Sequence, residues 1–283
     1  MIAAPPDLLV IGGLTVDRFP DGSSSPGGSV LHIARAAAQT GIRAAVITVA
    51  GPEREARAGI EKLRDLAASV DATLAKSTAT FVHRESRERR RLWLERGGGQ
   101  IRLAKATSLD APRAVLLAPI LDEVVTEEIA HIASGPTRGA ILQGFLRSVA
   151  EDGEVRQLPL SGLAPGLVAA LSRFDLLVAS REDLMGEAAE PLDQLASLRR
   201  CVGTRPALVV TDGVNGARIE VEHLRAPRVV EGVSSVGAGD IFAAFMLADA
   251  WPRPAPAGFL RQRVEDAMVA VAEVLEERGG RAR

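Results

Sequence analysis

Short apolar runs recur along the chain, separated by longer stretches in which apolar and polar residues alternate at helical spacing. The runs are rich in Val, Ile, Leu and Ala, and they predict strands at 7–13, 44–51, 113–120, 139–145, 174–180 and 207–213. Because such runs offer no polar face, they are typical of strands in a sheet that is covered on both sides.

The stretches between the runs predict helices at about 28–41, 52–69, 121–134, 160–172 and 190–202. Alternation of strands and helices is typical of a parallel sheet with helices on both faces. We therefore expect an α/β fold of three layers, in which helices flank a central, mostly parallel sheet. In such sheets, ligands bind at the carboxyl ends of the strands.

Two segments, 14–27 and 78–96, break this alternation because they predict short strands and hairpins with no helix between them. They could pair into a small accessory sheet over the strand ends, which we call the lid. The charged run 84–91 would form the turn or the outer face of the lid. The alternative, a nucleic-acid patch, is disfavoured because few aromatic residues lie among the charges. We also expect a hairpin within 216–233, and a connection at the Pro-rich segment 251–258 between two C-terminal helices.

Composition narrows the class of protein. With 283 residues, 47% of them hydrophobic, the chain can bury a large core as one α/β domain or two smaller ones, and we expect a single domain over 1–283. No run approaches the roughly 20 apolar residues of a membrane span. Cys201 is the only cysteine, so we expect no internal disulfide and a cytoplasmic location. A net charge of -2 disfavours a nucleic-acid partner.

The stretch 232–250, "GVSSVGAGDIFAAFMLADA", places Asp240 behind two glycines and ahead of a long apolar run. Gly237 and Gly239 would let the backbone approach a ligand closely. The amides of residues 237–240 would lie at a helix N-terminus, which favours a bound anion such as phosphate. On this pattern alone, Asp240 is either a dipole-favoured residue in the first helical turn or a catalytic group beside the anion.

Five segments together resemble the pfkB family of ribokinase-like carbohydrate kinases. They are "IGGLTVDRF", "PGGSVLHIARAAAQTG", "VITVAG", "VVTDGVNGA" and "SSVGAGDIFAAF", in the family's order and over nearly the whole chain. The resemblance implies a ribokinase-like fold with a small β lid. It also implies a kinase that transfers the γ-phosphoryl group of ATP, with Mg²⁺, to a hydroxyl of a sugar, polyol or nucleoside.

The resemblance assigns roles to residues of the "GAGD" segment and of the substrate side. Asp240 matches the family's general base, and the amides of Gly237, Ala238 and Gly239 would form an anion hole. Asp17 matches an aspartate that binds substrate hydroxyls; its structural alternative is a polar residue on the exposed face of a lid strand. The remaining matches are the substrate-side glycines Gly27 and Gly28, for which a plain turn is the alternative, and the nucleotide-loop residues Thr211, Gly213 and Gly216.

Several positions depart from the family pattern. The segment "VASRED" supplies Ser180 and Asp183 in place of an Asn and a Glu. Asp183 can serve a hydrated Mg²⁺ or cap the following helix. Ser234 replaces an aspartate of the potassium-binding loop of several relatives, so we expect little activation by potassium.

Three further residues concern the acceptor and the phosphate. Ser29 replaces the family's substrate asparagine, and His32, the next polar position, is expected on the pocket wall rather than as a base. Arg147 is the one matching polar residue of a strand end; it would hold phosphate or substrate, or be a surface arginine.

The segments "LAPILDEV", "AILQGFLR", "EDGEV" and "VASRED" resemble a short branch of the family that includes myo-inositol kinase. This resemblance favours a cyclic polyol or related sugar as the acceptor, with a nucleoside second. Among lid aromatics, Phe19 and Phe81 are the phenylalanines, and Trp93 is expected beneath them; these rings could form a stacking wall. A homodimer through the lid is a further expectation.

Two alternatives from other classes remain. A Rossmann oxidoreductase is disfavoured because a strand, not a glycine-rich turn into a helix, follows the first apolar run. A degenerate kinase fold kept as a sugar or nucleotide sensor is compatible with the altered "SRED" and "SSVGAGD" segments, but the intact "GAGD" with Asp240 disfavours it.

Overall fold

The structure, a computed structural model, describes residues 5–85, 90–103, 112–132, 136–187, 190–248, 251–252 and 256–281. The strands of the main sheet are β1 (Leu8–Gly12), β4 (Ala44–Ala50), β5 (Ser69–Leu74), β8 (Ala114–Ala118), β9 (Thr137–Ile141), β12 (Leu176–Ser180), β13 (Ala207–Thr211), β14 (Ala217–Ile219) and β15 (Glu222–Leu224). The lid strands are β2 (Thr15–Arg18), β3 (Ser24–Gly27), β6 (Ala79–Glu85) and β7 (Arg90–Arg96), and a small hairpin consists of β10 (Arg147–Val149) and β11 (Val155–Gln157).

The helices are α1 (Ser29–Thr40), α2 (Arg54–Leu66), α3 (Pro165–Leu171), α4 (Pro191–Val202), α5 (Ala238–Ala248) and α6 (Phe259–Arg281). The main sheet has the order β15-β14-β13-β12-β9-β8-β1-β4-β5. Its pairs are parallel from β13 to β5, and the β14–β15 hairpin adds an antiparallel edge. All six predicted apolar strands are therefore present.

The core lies on both faces of this sheet, as a run of continuously apolar strands requires. In β1, Leu8 and Val10 face the layer that contains α1, α2, α5 and α6. Leu9 and Ile11 face the opposite layer, which contains α3 and α4. The predicted three-layer α/β fold is thus confirmed. Within the described part of the chain, no helix is both long enough and apolar enough to cross a membrane.

The lid forms as a four-stranded sheet of order β3-β2-β6-β7. The β2–β3 and β6–β7 pairs are antiparallel hairpins, and the parallel β2–β6 pair joins the two segments that are separate in sequence. Of the charged run 84–91, residues 86–89 lie outside the described residues. Arg84 and Arg91 stack on the ring of Trp93, at 4.3 and 5.4 Å from its centroid.

Some predicted elements are wrong in type or extent. The helix expected at 121–134 is a 3-10 turn at Thr126–His131, and residues 133–134 lie outside the described residues. The predicted helix at 52–69 ends at Leu66 and gives way to β5, and that at 160–172 is a 3-10 turn at Leu160–Gly162 followed by α3. The hairpin expected within 216–233 ends with β15, at Leu224. Of the connection 251–258, residues 253–255 lie outside the described part.

Candidate active site

A cavity of about 630 Å³ lies between the lid and the carboxyl ends of the main-sheet strands. The structure brings twelve of the fourteen predicted site residues to its walls. They are Asp17, Gly28, Ser29, His32, Arg147, Asp183, Thr211, Gly213, Gly237, Ala238, Gly239 and Asp240.

The two other predicted site residues pack against protein instead. A Cβ added to Gly27 would lie 2.9 Å from Cγ of Asp17, so Gly27 lies beside that carboxylate on the neighbouring strand. A Cβ added to Gly216 would lie 2.6 Å from the backbone nitrogen of Ala226. Gly27 and Gly216 therefore serve close packing in this structure and do not line the cavity.

The "GAGD" segment forms a tight turn into α5. Gly237 has a φ of 80°, which favours glycine, and its carbonyl accepts the N–H of Ile241 at 3.0 Å. Helix α5 then begins at Ala238, with Asp240 in its first turn. The continuous apolar face of Ile241, Phe242 and the residues that follow is buried in the core, which fixes the helix and holds its N-terminus at the cavity.

The carboxyl group of Asp240, at the cavity wall, has a raised pKa. Burial raises its pKa from 3.8 to about 6; the Ser29 hydroxyl and the charge of Arg147 oppose this shift, and the charge of Asp183 adds to it. Because a general base works best when its pKa approaches the operating pH, this carboxylate suits proton abstraction from a hydroxyl.

The three N–H groups that the sequence predicts as an anion hole differ in their hydrogen bonding. The N–H of Ala238 donates to the carbonyl oxygen of Ser235 at 3.0 Å, so it already has an acceptor. The N–H groups of Gly237, Gly239 and Asp240 have no backbone acceptor among the described residues. Two of the three predicted donors, together with the positive end of the α5 dipole, are thus available to an anion.

Ser29 and His32 project from the first turn of α1. The Ser29 hydroxyl is buried close to the Asp240 carboxylate, yet it makes no hydrogen bond of good geometry within the described part of the chain. A Cβ added to Gly237 would lie 2.7 Å from Nδ1 of His32, so the imidazole packs directly on that glycine. Burial and the charges of Arg278 and Arg35 lower the pKa of His32 to about 4. His32 is therefore a neutral residue of the cavity wall near pH 7, and its lowered pKa makes it a weaker base than an ordinary imidazole.

Arg147 is part-buried at the centre of a group of carboxylates. Its Nη1 donates to the carbonyl oxygen of Ile120 at 3.1 Å. Burial lowers its pKa, and the charges of Asp183, Asp240, Glu123 and Asp17 oppose that shift. Because an arginine stays protonated even so, Arg147 places a fixed positive charge in the cavity and is not a surface arginine.

Asp183 takes up the capping role, one of the two that its sequence left open. Its Oδ2 accepts the N–H of Ser180 at 2.9 Å, and Oγ of Ser180 accepts the N–H of Asp183 at 3.1 Å. This reciprocal cap leaves the other carboxylate oxygen for the cavity. No three His, Cys, Asp or Glu side chains of the described residues group as a metal cage. Mg²⁺ keeps several waters and takes one or two carboxylates, so Asp183 fits a hydrated Mg²⁺.

The lid contributes a polar pair that sequence reasoning missed. Nε2 of His83 lies 3.5 Å from Oδ1 of Asp17, and the imidazole stacks on Phe19 with centroids 5.0 Å apart. Neither ring nitrogen of His83 has a hydrogen-bond partner among the described residues. Its position two residues after buried Phe81 on the same strand was the one available signal. Gln143 also lines the cavity and was missed, because the segment "AILQGF" is otherwise apolar.

Trp93 does not lie beneath Phe81. Trp93 pairs with Val82 and Phe81 pairs with Leu94, so the two rings are on opposite faces of the lid. Two arginine side chains stack on the Trp93 ring, and its backbone forms a bridge with Glu154. Of the three rings considered for a stacking wall, Phe81 is the one that lines the cavity.

Thr211 and Gly213, which the sequence predicts as nucleotide-binding residues, lie at the end of β13 and just after it. Oγ1 of Thr211 donates to the carbonyl oxygen of Ala179 at 3.4 Å, and Nη1 of Arg181 lies 3.3 Å from Oδ2 of Asp212. Gly213 begins a 3-10 turn that ends at Asn215, next to the cavity.

Comparisons with known proteins identify the family and the fold. A model of pfkB family carbohydrate kinases matches residues 7–251. No curated protein sequence matches the chain significantly. The fold is similar to that of a pyrophosphate-dependent kinase in the ribokinase family complexed with a pyrophosphate analog and myo-inositol, with a TM-score of 0.75, 18% identity and 95% of each chain covered.

Two further solved structures have the same fold. Arabidopsis thaliana ribokinase complexed with ribose and ATP has a TM-score of 0.70 and 15% identity, over 96% of this chain and 93% of that one. Adenosine kinase from Schistosoma mansoni, in complex with 2-fluoroadenosine, has a TM-score of 0.71 and 13% identity over 96% of both chains. The fold and family predicted from the sequence are confirmed. The chain therefore belongs to the pfkB family of carbohydrate kinases and is a phosphotransferase with an alcohol group as acceptor.

Proposed function

We propose that this chain transfers the γ-phosphoryl group of ATP to a hydroxyl of a sugar or polyol, with Asp240 as the general base. One observation carries the proposal. The raised-pKa carboxylate of Asp240 and the open N–H groups of Gly237 and Gly239 occupy the same helix N-terminus, at one wall of the cavity. A proton acceptor and an anion site side by side are what phosphoryl transfer to a hydroxyl needs.

Asp240 takes the proton of the attacking hydroxyl. With a pKa of about 6 it is mostly ionised at neutral pH, yet it is a stronger base than an ordinary carboxylate. The Ser29 hydroxyl, which lacks a good partner in the described structure, is placed to hydrogen-bond the same substrate hydroxyl or the carboxylate. These contacts would orient the acceptor for attack.

Negative charge on the transferring group is stabilised by fixed donors. These are the N–H groups of Gly237 and Gly239, the α5 dipole and the guanidinium of Arg147. Their positions are fixed before the reaction, so the protein need not rearrange as charge develops. Mg²⁺, when bound, would neutralise charge on the donor phosphates. Asp183 would hold the ion through its free oxygen and through water.

The lid binds the acceptor from the opposite side. Asp17 accepts hydrogen bonds from hydroxyls, and His83, 3.5 Å from it, adds a polar nitrogen. A hydroxyl-rich ring satisfies these groups while one hydroxyl faces Asp240. Of Phe19, Phe81 and Trp93, Phe81 lines the cavity and could stack on a nucleoside base. A single such ring favours a polyol or sugar over a nucleoside.

The phosphoryl donor needs a parallel test. One structural neighbour is a complex with ATP, whereas another is a pyrophosphate-dependent kinase. Our proposal takes ATP as the donor, with Thr211 and Gly213 at the end of β13 as residues that bind the nucleotide. The described layers and the lid would act as one kinase domain over 1–283, in the cytoplasm, and a homodimer through the lid is part of the same proposal.

The test is a thermal-shift screen of sugars, polyols and nucleosides, followed by kcat/KM for myo-inositol, ribose, fructose, adenosine and cytidine with ATP and Mg²⁺. The same panel is repeated with pyrophosphate as donor. We expect a polyol or sugar with ATP to be the best pair. If a nucleoside wins by more than about tenfold, a gap of roughly 1.4 kcal/mol, the polyol assignment is wrong and the kinase assignment stands. Binding without turnover on every pair would instead indicate a sensor.

A further inference from the structure

Arg278, near the end of α6, carries a guanidinium with no carboxylate partner among the described residues. Its Nη1 donates to the carbonyl oxygen of Val236 at 3.1 Å, and its Nη2 is buried without an acceptor. Burial and the nearby charge of Arg35 lower the pKa of Arg278. A partly buried charge without an acid is costly to keep, and the hydrogen bond to the carbonyl oxygen of Val236 offsets part of that cost.

Arg278 approaches Val236 from outside the active-site cavity. Together with Arg35 it lines a second cavity of about 690 Å³, between α1, α6 and the loop 232–236. His32 and Val236 line both cavities, so they form part of the wall between the two. A charge in the second cavity can therefore act on the active site through this wall.

Val236 and Gly237 share one peptide group. In a planar trans peptide the C=O and N–H bonds point in opposite directions. Since Arg278 bonds the oxygen, the N–H of Gly237 points away from Arg278. Gly237 lines the active-site cavity, where its N–H has no backbone acceptor among the described residues.

The sequence does not fix the direction of this peptide by itself. Gly237 has a φ of 80°, and glycine adopts positive and negative φ with similar ease. A rotated peptide would turn the carbonyl oxygen of Val236 towards the phosphate site and repel an anion. The charge-assisted bond from Arg278 favours the other orientation.

We propose that Arg278 is a positioning residue of the anion hole, which holds the carbonyl oxygen of Val236 and so directs the N–H of Gly237 at the phosphoryl group. For its kinetic consequence this inference rests on the proposed function. Its consequence for anion binding does not need turnover.

The test compares R278M and R278K with R261M as the matched control. Arg261 lies on the same helix but is exposed and pairs with Glu222 and Glu265, so its loss should cost little. Loss of a single oxyanion-hole donor lowers kcat by about 10²- to 10³-fold. If R278M leaves the N–H of Gly237 pointing the wrong way, kcat with myo-inositol as acceptor should fall by about 10- to 100-fold. The KM for myo-inositol should stay within about twofold of wild type.

Binding of inorganic pyrophosphate, measured by calorimetry, decides the inference even if the wild type phosphorylates no acceptor and the proposed function fails. We expect its Kd to rise about tenfold in R278M, less in R278K, and less than about twofold in R261M. Urea unfolding verifies that the variants are folded; if R278M is not, R278Q, which is too short to reach Val236, takes its place. Three results would overturn the inference. R278M could keep the wild-type kcat and Kd, R261M could lose as much pyrophosphate binding as R278M, or R278K could bind pyrophosphate no more tightly than R278M.

Discussion

Nε2 of His83 lies 3.5 Å from Oδ1 of Asp17, across the parallel pair of lid strands β2 and β6. The two side chains line the same cavity as Asp240. Both ring nitrogens of His83 are buried without a hydrogen bond in the described structure, so a substrate hydroxyl would supply a missing partner.

The first prediction concerns this pair. His83→Ala and Asp17→Asn should each raise KM for the acceptor by about tenfold or more, with a smaller change in kcat, because the pair binds groups remote from the reacting hydroxyl. Steady-state kinetics with the best acceptor measures this. Arg18→Gln is the control, since Arg18 is exposed on the same strand and pairs with Glu95. Unchanged KM in both lid variants would move the acceptor away from the lid.

The second prediction separates the two glycines of the proposed anion hole. Gly237→Ala should lower stability and activity together, because φ is 80° and the new Cβ would overlap the His32 ring. Gly239 has open space around it, and alanine is about 0.5–1 kcal/mol better than glycine inside a helix. Gly239→Ala should therefore keep or raise the unfolding midpoint and yet bind pyrophosphate more weakly. Equal losses of stability in the two variants would contradict this account of the turn.

The third prediction concerns pH. Because Asp240 must be ionised to act as base, kcat/KM should rise as pH increases through about 6 and then level off.

The contribution of Asp240 to folding stability changes with pH in the opposite direction. The folded state holds the Asp240 proton more tightly than the unfolded chain, so this group stabilises the fold at low pH, and its contribution falls between about pH 4 and pH 6. Asp240→Asn should thus be more stable than wild type at pH 8 and similar at pH 4. A pH-independent difference in unfolding free energy would contradict the raised pKa.

The fourth prediction concerns potassium. Ser234 is exposed and offers a neutral hydroxyl, and the carbonyl oxygen of Val236 already accepts a bond from Arg278. Replacing sodium by potassium at constant ionic strength should change kcat by less than about twofold, because the loop lacks the carboxylate that a cation prefers. A large, saturable response would show that backbone oxygens alone bind the ion.

Much of the fold follows from local pattern, and the misses have physical causes. The sequence pattern did not predict strand β5, because its residues are half-buried and follow α2 without a Gly or Pro between them. The expected helix after β8 fails because the buried Glu123 carboxylate accepts the N–H groups of Ile120 and Leu121, which holds the chain in a turn there. Such a side-chain contact competes with helix formation and leaves little trace in hydrophobic spacing.

The candidate site was predictable where a motif carries the residue and not where the lid brings residues together. Asp240 and Asp17 were found through motifs. His83 was not, since its role depends on the parallel pairing of β2 with β6, which joins segments about 60 residues apart. Gly216 matched a nucleotide loop but packs against the backbone near β15, because the tertiary hairpin decides what that glycine faces.

The central claim is that Asp240 is the general base, and the turnover of Asp240→Asn tests it most directly. We expect kcat to fall by a factor of about 10² to 10⁴, the usual contribution of a positioned base, while the Kd for ATP measured by calorimetry stays near that of wild type. An Asp240→Asn variant that folds, binds ATP and retains near-normal kcat would contradict the account and leave Asp240 as a residue that only stabilises the N-terminus of α5.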